Sequence, residues 1–382
     1  MIPYGRHSID EEDIKAVVEV LRSDWLTTGP KVVEFERAFA EYVGAEDAVA
    51  VSSGTAALHA AMYSLEIGPK DEVIVPAMTF ASTANCVVFQ GGTPIFCDVD
   101  PDTLLIDISS AESKITSRTK AIIAVDYAGQ PCDYDELQTV ANKHRLAVVA
   151  DACHSLGGKY KERTVGSLAE LSVFSFHPVK HITTGEGGMI TTDKDHLASR
   201  LRIFRNHGIT TDFKQREEQG SWYYEMVELG YNYRITDIQC ALGLSQLRKL
   251  SLWLNRRQKI ARIYSEAFSD VPVITPLKVR TDVSHAYHLY PIKLELENLT
   301  SDRSVIFSSL RSSGIGANVH YIPVHLHPFY RKRFRTEPGE CPIAESAYKR
   351  LLTLPIHPNM STQDIDKVVS AVKESVNHFT RR

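Results

Sequence analysis

Over the first half of the chain, short apolar runs alternate with amphipathic stretches. Ala48–Val51, Glu72–Pro76, Pro94–Val99, Ala121–Val125, Ala147–Asp151 and Leu171–Phe176 carry few polar positions. A strand with one wet face would alternate, so these runs predict strands buried on both sides of a parallel sheet. Helical patterns separate them. Asp10-Glu11-Glu12-Asp13 leads into Ile14, Val17, Val18 and Leu21, an acid-started helix. Trp25–Pro30 breaks it, and a second helix follows with Val32, Val33, Phe35, Phe39 and Tyr42 on one stripe, ending at Gly44. Further helices are predicted over 81–89, 134–144 and 195–210, the last ending at Asn206-His207-Gly208, and a long one from Asp237 to Leu254 or beyond. Strand–helix alternation of this kind predicts an α/β fold whose ligands bind at the carboxyl ends of the strands.

The pattern changes after residue 255. It reads as helix, a proline-containing connection, a strand over His288–Glu295, a helix over Ser301–Ser312, Val319-His320-Tyr321 and a helical tail. That is α+β, so we expect a large domain over 13–254 and a smaller one over 255–382 joined by residues 1–12. The polar segment 211–228 reads as a mobile loop.

Composition narrows the function. The 382 residues are 43% hydrophobic and 24% charged with net charge -4, a globular balance that makes nucleic acid an unlikely partner. No run is long enough for a membrane span, and the N-terminus lacks a signal-peptide core. The six cysteines form no CxxC pair, which argues against a zinc site or a disulfide framework and for a cytoplasmic chain.

Three groups carry the candidate chemistry. Lys180 lies between the Leu171–Phe176 run and a second short strand, Met189–Thr192. Desolvation there lowers a lysine's pKa and makes its amine a better nucleophile toward carbonyls. Snorkelling to solvent is the ordinary alternative. Ser52-Ser53-Gly54-Thr55 joins a strand to a helix, where free N–H groups favour phosphate; simple helix capping is the alternative. Asp151 ends a strand and can face a cationic nitrogen, or cap a following helix. A helical crossover and one strand between Asp151 and Lys180 would set both at one sheet edge. Together these are the groups that pyridoxal 5'-phosphate requires: an amine for its aldehyde, a carboxylate for its ring nitrogen and a cradle for its phosphate. Phe80 can cover a ring face, and Ser175 can reach the phosphate.

The motifs SSGTAAL, PAMTFAST, DACHSLGG, FSFHPVK, ITTGEGG and LGYNYRITDIQCALG, in this order, resemble the DegT/DnrJ/EryC1/StrS sugar aminotransferases. The resemblance implies fold type I, the aspartate aminotransferase-like fold, with a mainly parallel seven-stranded sheet in the large domain. It implies Lys180 as the lysine that bonds the cofactor and then moves protons, with Asp151 at the ring nitrogen and His154 near the ring hydroxyl. Gly54, Thr55, Ala56 and Ser175 would hold the phosphate, and Phe80 would stack. Asn232 would reach the phosphate of the neighbouring subunit in a homodimer with shared active sites. The implied reaction moves an amino group from L-glutamate to the ketone of a nucleotide-linked sugar. Relatives with histidine at the lysine position dehydrate sugars instead; this chain keeps Lys180.

The N-terminal IPYGRHSIDEEDI, the WLTTGP segment and the FHPVKHITTGEGGMI block are most similar to the pseudaminic-acid branch, which aminates carbon 4 of a UDP-linked 4-keto-6-deoxy-N-acetylhexosamine. His181 replaces the proline associated with that place. Tyr4, Arg6, Trp25, Thr27, His320, Tyr321, Phe329 and Tyr330 are candidate substrate contacts, each with ordinary packing as its alternative. Other readings are a GDP- or dTDP-linked ketosugar, amination at carbon 3, and a non-catalytic sensor on the same fold. A Rossmann dehydrogenase is disfavoured because GEGG lacks GxGxxG spacing and its strand–turn–helix context. No metal is expected.

Overall fold

The computed structural model describes residues 1–211, 216 and 220–381. Seven strands form the main sheet: β1 (Asp47–Val51), β2 (Glu72–Pro76), β3 (Thr93–Cys97), β4 (Thr119–Val125), β5 (Ala147–Asp151), β8 (Leu171–Ser175) and β9 (Gly188–Thr192). The two-residue strands β6 (Lys159–Tyr160) and β7 (Arg163–Thr164) lie between β5 and β8. The order across the sheet is β1-β9-β8-β5-β4-β2-β3. Strands β3, β2, β4, β5 and β8 run parallel, whereas β9 is antiparallel to both β8 and β1. The apolar runs thus form a mainly parallel sheet, and β2 is buried at every position.

The strand-to-helix turns follow local chemistry. The Ser53 side chain caps α3 (Gly54–Ser64) by accepting from the Ala56 N–H. This helix is rich in alanine, and small side chains let it lie close on the sheet. Phe80 takes the N-cap position of α4 (Ala81–Phe89) without a side-chain cap. Thr236 and Gln239 form a capping box for the long helix Asp237–Phe268. Buried Asp237, in its first turn, accepts from the N–H groups of Gly29 and Lys31 at 2.7 and 2.8 Å, tying the Trp25–Pro30 break to it.

That helix crosses residue 254 unbroken. Its first half packs into the core under the main sheet, up to Leu254, and its second half, from Ile260, into another core. The second core surrounds an antiparallel sheet of β10 (Ile274–Pro276), β12 (Tyr290–Leu294) and β13 (Leu351–Leu354). The short strand β11 (Val283–Ser284) instead pairs with β6. Arg257 sits between the two cores, and its Nη1 donates to the carbonyls of Tyr287 and Ile356 at 3.1 and 2.9 Å. Burial pushes its pKa down to about 10. These carbonyl contacts offset part of the cost of burying a guanidinium.

Two expectations differ from the structure. The connection from Asp151 toward Lys180 contains no helix; it is a turn, the β6–β7 hairpin and a loop. The hairpin turns on Lys161 and Glu162, both at positive φ, and no helix follows Asp151 for it to cap. The expected helical tail is interrupted by β13, whose four residues are all buried. The helix over 195–210, expected to end at Asn206-His207-Gly208, runs to Arg205 with Asn206 as its C-cap. In the segment read as a mobile loop, positions 212–215 and 217–219 lie outside the described residues. Among the described residues no helix is long and apolar enough to cross a membrane.

Candidate active site

A 540 Å³ cavity opens at the carboxyl ends of β4, β5 and β8, where crossover geometry leaves room for a ligand. Its lining brings together Tyr4, Gly54, Thr55, Phe80, Asp151, His154, Ser175, Lys180, His320 and Tyr321, ten of the positions singled out from sequence.

Lys180 lies in the loop after β8, where its backbone N–H donates to the His177 carbonyl at 2.8 Å. Its side chain is half-buried, and its exposure is to the cavity. Burial lowers the ammonium pKa; Cys153 and Asp151 oppose that shift. More of the amine is therefore unprotonated near neutrality, as attack on a carbonyl requires. Asp151, 6% exposed, stands at the end of β5. Its Oδ2 accepts from Thr83 Oγ1 at 2.7 Å, and its Oδ1 accepts from the Cys153 N–H at 3.3 Å. On the neighbouring strand end, Asp126 is fully buried and accepts from Ser155, Cys132 and Tyr134. Desolvation pushes its pKa up to about 6. The two carboxylates differ in availability: Asp126 is spent on holding the chain, whereas Asp151 faces the cavity.

At the start of α3, Gly54 lies against β8. A Cβ there would fall 2.8 Å from Ser175 Cβ and 3.2 Å from its Oγ. The Ala56 N–H is occupied by Ser53 Oγ, and Ala56 does not line the cavity. The free first-turn amides that face it belong to Gly54 and Thr55, so capping and anion binding coexist at one helix start.

Phe80 is 57% exposed and faces the cavity, which excludes the core role that a phenylalanine usually has. Its ring is 5.9 Å from that of Tyr321. The Tyr321 hydroxyl pairs with His154 Nε2 at 3.1 Å, while the buried His154 Nδ1 has no partner. His288 packs 4.4 Å from His154. His320 is anchored through Nδ1 to Thr353 Oγ1 at 3.0 Å, and burial pushes its pKa down to about 3. The Tyr4 ring lies 5.1 Å from it.

Other predicted contacts lie elsewhere. Tyr330 is a core residue, not a cavity residue: its hydroxyl donates to Asn85 Oδ1 at 2.6 Å and its ring packs on Phe96. Phe329, on the same short helix, is 51% exposed and outside the cavity. Trp25 and Thr27 sit at the turn before α2 (Pro30–Val43), where Thr27 bridges Thr236. Arg6 borders a small recess that reaches Lys180 from the side of Pro178 and His181. Asn232 is exposed and bridges Asn206, away from the cavity of its own chain.

Sequence reasoning missed Thr79, Thr83, His288, Asn318 and Glu186. Thr79 and Thr83 lie in the quoted PAMTFAST motif, but no spacing rule links a threonine to a carboxylate on another strand. Among the described residues no cluster of three His, Cys, Asp or Glu is placed to hold a metal. The residues present do fit pyridoxal phosphate. The absent Gly54 side chain lets the helix start approach Ser175 closely, which sets the Gly54 and Thr55 amides and the Ser175 hydroxyl at one wall of the cavity as a phosphate requires, and the unpartnered His154 Nδ1 awaits a polar group.

The chain matches the DegT/DnrJ/EryC1/StrS aminotransferase family over residues 7–373. It is 44% identical over 378 residues to the Bacillus subtilis spore coat polysaccharide biosynthesis protein SpsC, covering 98% of this chain and 97% of that one. Its structure is similar to that of Helicobacter pylori PseC, an aminotransferase involved in the biosynthesis of pseudoaminic acid, with TM-score 0.92 and 35% identity, covering 99% of this chain and 100% of that one. It is also similar to the Streptococcus pneumoniae putative sugar aminotransferase Spr1654 in its PMP form, with TM-score 0.93, 35% identity and coverage of 99% and 100%. The PLP form of that protein gives TM-score 0.92, 35% identity and 99% coverage of both chains. The chain therefore belongs to the DegT/DnrJ/EryC1/StrS family of pyridoxal-phosphate-dependent sugar aminotransferases, of fold type I.

Proposed function

We propose that the protein transfers the amino group of L-glutamate to carbon 4 of a UDP-linked 4-keto-6-deoxy-N-acetylhexosamine, a precursor of pseudaminic acid. The observation that carries the aminotransferase chemistry is the meeting of Lys180, Asp151 and the Gly54–Thr55 helix start in one cavity. The choice of sugar is supported by the similarity to PseC, which is involved in pseudoaminic acid biosynthesis.

Pyridoxal phosphate, when bound, supplies an aldehyde that takes up amines and a ring that accepts electrons. In this reading the Gly54 and Thr55 amides and the Ser175 hydroxyl bind the phosphate. Phe80 covers one ring face, and Asp151 holds the proton on the ring nitrogen. His154 positions the ring hydroxyl. Lys180 Nζ anchors the cofactor, and its unprotonated amine then carries the proton between donor and acceptor carbons. Tyr4, His320 and Tyr321 border the space left for the sugar. Asn232 completes the phosphate site of a partner subunit, so the active unit is a homodimer.

The 44% identity to a spore coat polysaccharide protein favours a second reading, a different nucleotide-linked ketosugar handled by the same residues. Glutamate-dependent amination across UDP-, GDP- and dTDP-linked ketosugars separates them. We expect turnover on the UDP-linked 4-keto-6-deoxy-N-acetylhexosamine, with the amine at carbon 4 of the product. Turnover confined to a GDP or dTDP sugar, or amination at carbon 3, rejects the assignment.

A further inference from the structure

Asp151 ends its strand with no ion pair among the described residues, although it faces the cavity. Its oxygens are not equivalent. The Cys153 amide meets Oδ1 at a long 3.3 Å, whereas Thr83 Oγ1 meets Oδ2 at 2.7 Å. Thr83 is fully buried in the first turn of α4, and Thr79, 2% exposed, lies one turn before it at the cavity wall. The two hydroxyl oxygens are 2.8 Å apart.

Proton counting fixes the direction of this chain. A carboxylate only accepts, so the single Thr83 hydroxyl proton is spent on Asp151. The Thr79–Thr83 contact is then made by the Thr79 proton, donated to Thr83. The order is Thr79 to Thr83 to Asp151, with every proton pointing at the carboxylate. Hydrogen bonds aligned this way polarise one another, and the last one, to a charged acceptor, is the strongest.

We propose that Thr83, backed by Thr79, is a positioning residue that fixes Asp151 in rotation, and so aims its carboxylate at the ring nitrogen of bound pyridoxal phosphate and holds the proton there. The same turn of chain carries Phe80. One short segment therefore sets both the face contact and, through Asp151, the charge at the ring's far end. The proposal rests on the aminotransferase reading of the cavity and not on which sugar is accepted. Neither threonine touches the reacting atoms; both act through the carboxylate.

The test uses holoenzyme loaded with cofactor carrying ¹⁵N in the ring. Thr83→Val removes the hydroxyl at nearly constant volume, and Thr83→Ser keeps it. In Thr83→Val the ring ¹⁵N resonance should move toward that of an unprotonated pyridine. Its kcat for the glutamate half-reaction should fall about 10- to 100-fold, the scale of one hydrogen bond to a charged group, with KM changed less than about twofold. Thr83→Ser should restore both signals, and Thr79→Val should shift them the same way by less. An unchanged ¹⁵N resonance in Thr83→Val overturns the proposal. So does a Thr83→Ser enzyme as impaired as Thr83→Val with an equal drop in Tm, which would mark a packing role alone. The ¹⁵N signal needs neither donor nor sugar, so a mistaken substrate leaves this test intact.

Discussion

Gly54→Ala is the sharpest test of how the phosphate site is built. The new Cβ would lie 2.8 Å from Ser175 Cβ, 3.2 Å from Ser175 Oγ and 3.5 Å from Cys153 Sγ. Carbon atoms pack at about 3.5–4.0 Å, so the first contact is short by more than half an ångström. Rotating Ser175 moves its hydroxyl and leaves its Cβ where the strand backbone holds it. Relief therefore needs α3 and β8 to separate, which shifts the Gly54 and Thr55 amides relative to Ser175. Overpacking of this kind costs about 1–3 kcal/mol. If that cost falls on the bound state, the Kd for pyridoxal phosphate rises about 5- to 150-fold. Absorbance titration of apoenzyme measures it, with a thermal melt of the apoenzyme to report what falls on the free protein. A Kd within about twofold of the parent, at an unchanged apoenzyme Tm, would refute the cradle as described here.

Two further outcomes follow from the same geometry. Lys180→Ala should lower kcat about 10,000-fold, the upper scale of positioned proton transfer, while the chain still folds. In the proposed homodimer, mixing it with Asn232→Ala chains gives one shared site with both groups and should restore part of the activity; no recovery on mixing would contradict the two-chain site. The third concerns acid. Burial lowers the pKa of His59 and His357 to about 4, and of His285 and His320 to about 3. Unfolded, these imidazoles bind protons below their ordinary pKa of about 6.5, and folded they do not, so stability falls as pH drops from there toward about 4. Each contributes up to about 1.4 kcal/mol per pH unit in that window. Asp126, raised to about 6, acts in the opposite sense, since its folded form binds a proton first. Four groups against one leave a net loss. Thermal melts across that range check it, and a Tm that holds or rises on acidification contradicts it.

The legible part of the fold was the part with one-dimensional causes. Ala147–Asp151 and the helix from Tyr134 to His144 fall at the expected residues because a buried parallel strand and an amphipathic helix each write their period into the chain. The crossover after Asp151 carries small and polar residues without a decisive period, and Lys161 and Glu162, both at positive φ, turn it into a hairpin against the expectation of a helix. β13 was misread because its four residues, Leu351–Leu354, look like a helical extension until β12 is beside them. Strand pairing is a long-range contact, and no local pattern announces its partner.

The site divides along the same line. By itself the sequence determined that Lys180, Asp151 and the Ser53–Thr55 turn stand at strand ends, since strand edges and helix starts are local events. Only the folded chain decided which of them meet. It set Phe80 on the cavity wall and Tyr330 in the core, although both are aromatic residues near a helix start. It also aimed Thr83 at a carboxylate 68 positions away. Burial and hydrogen-bond partnership belong to pairs of distant residues, and those pairs exist only once the sheet has closed around them.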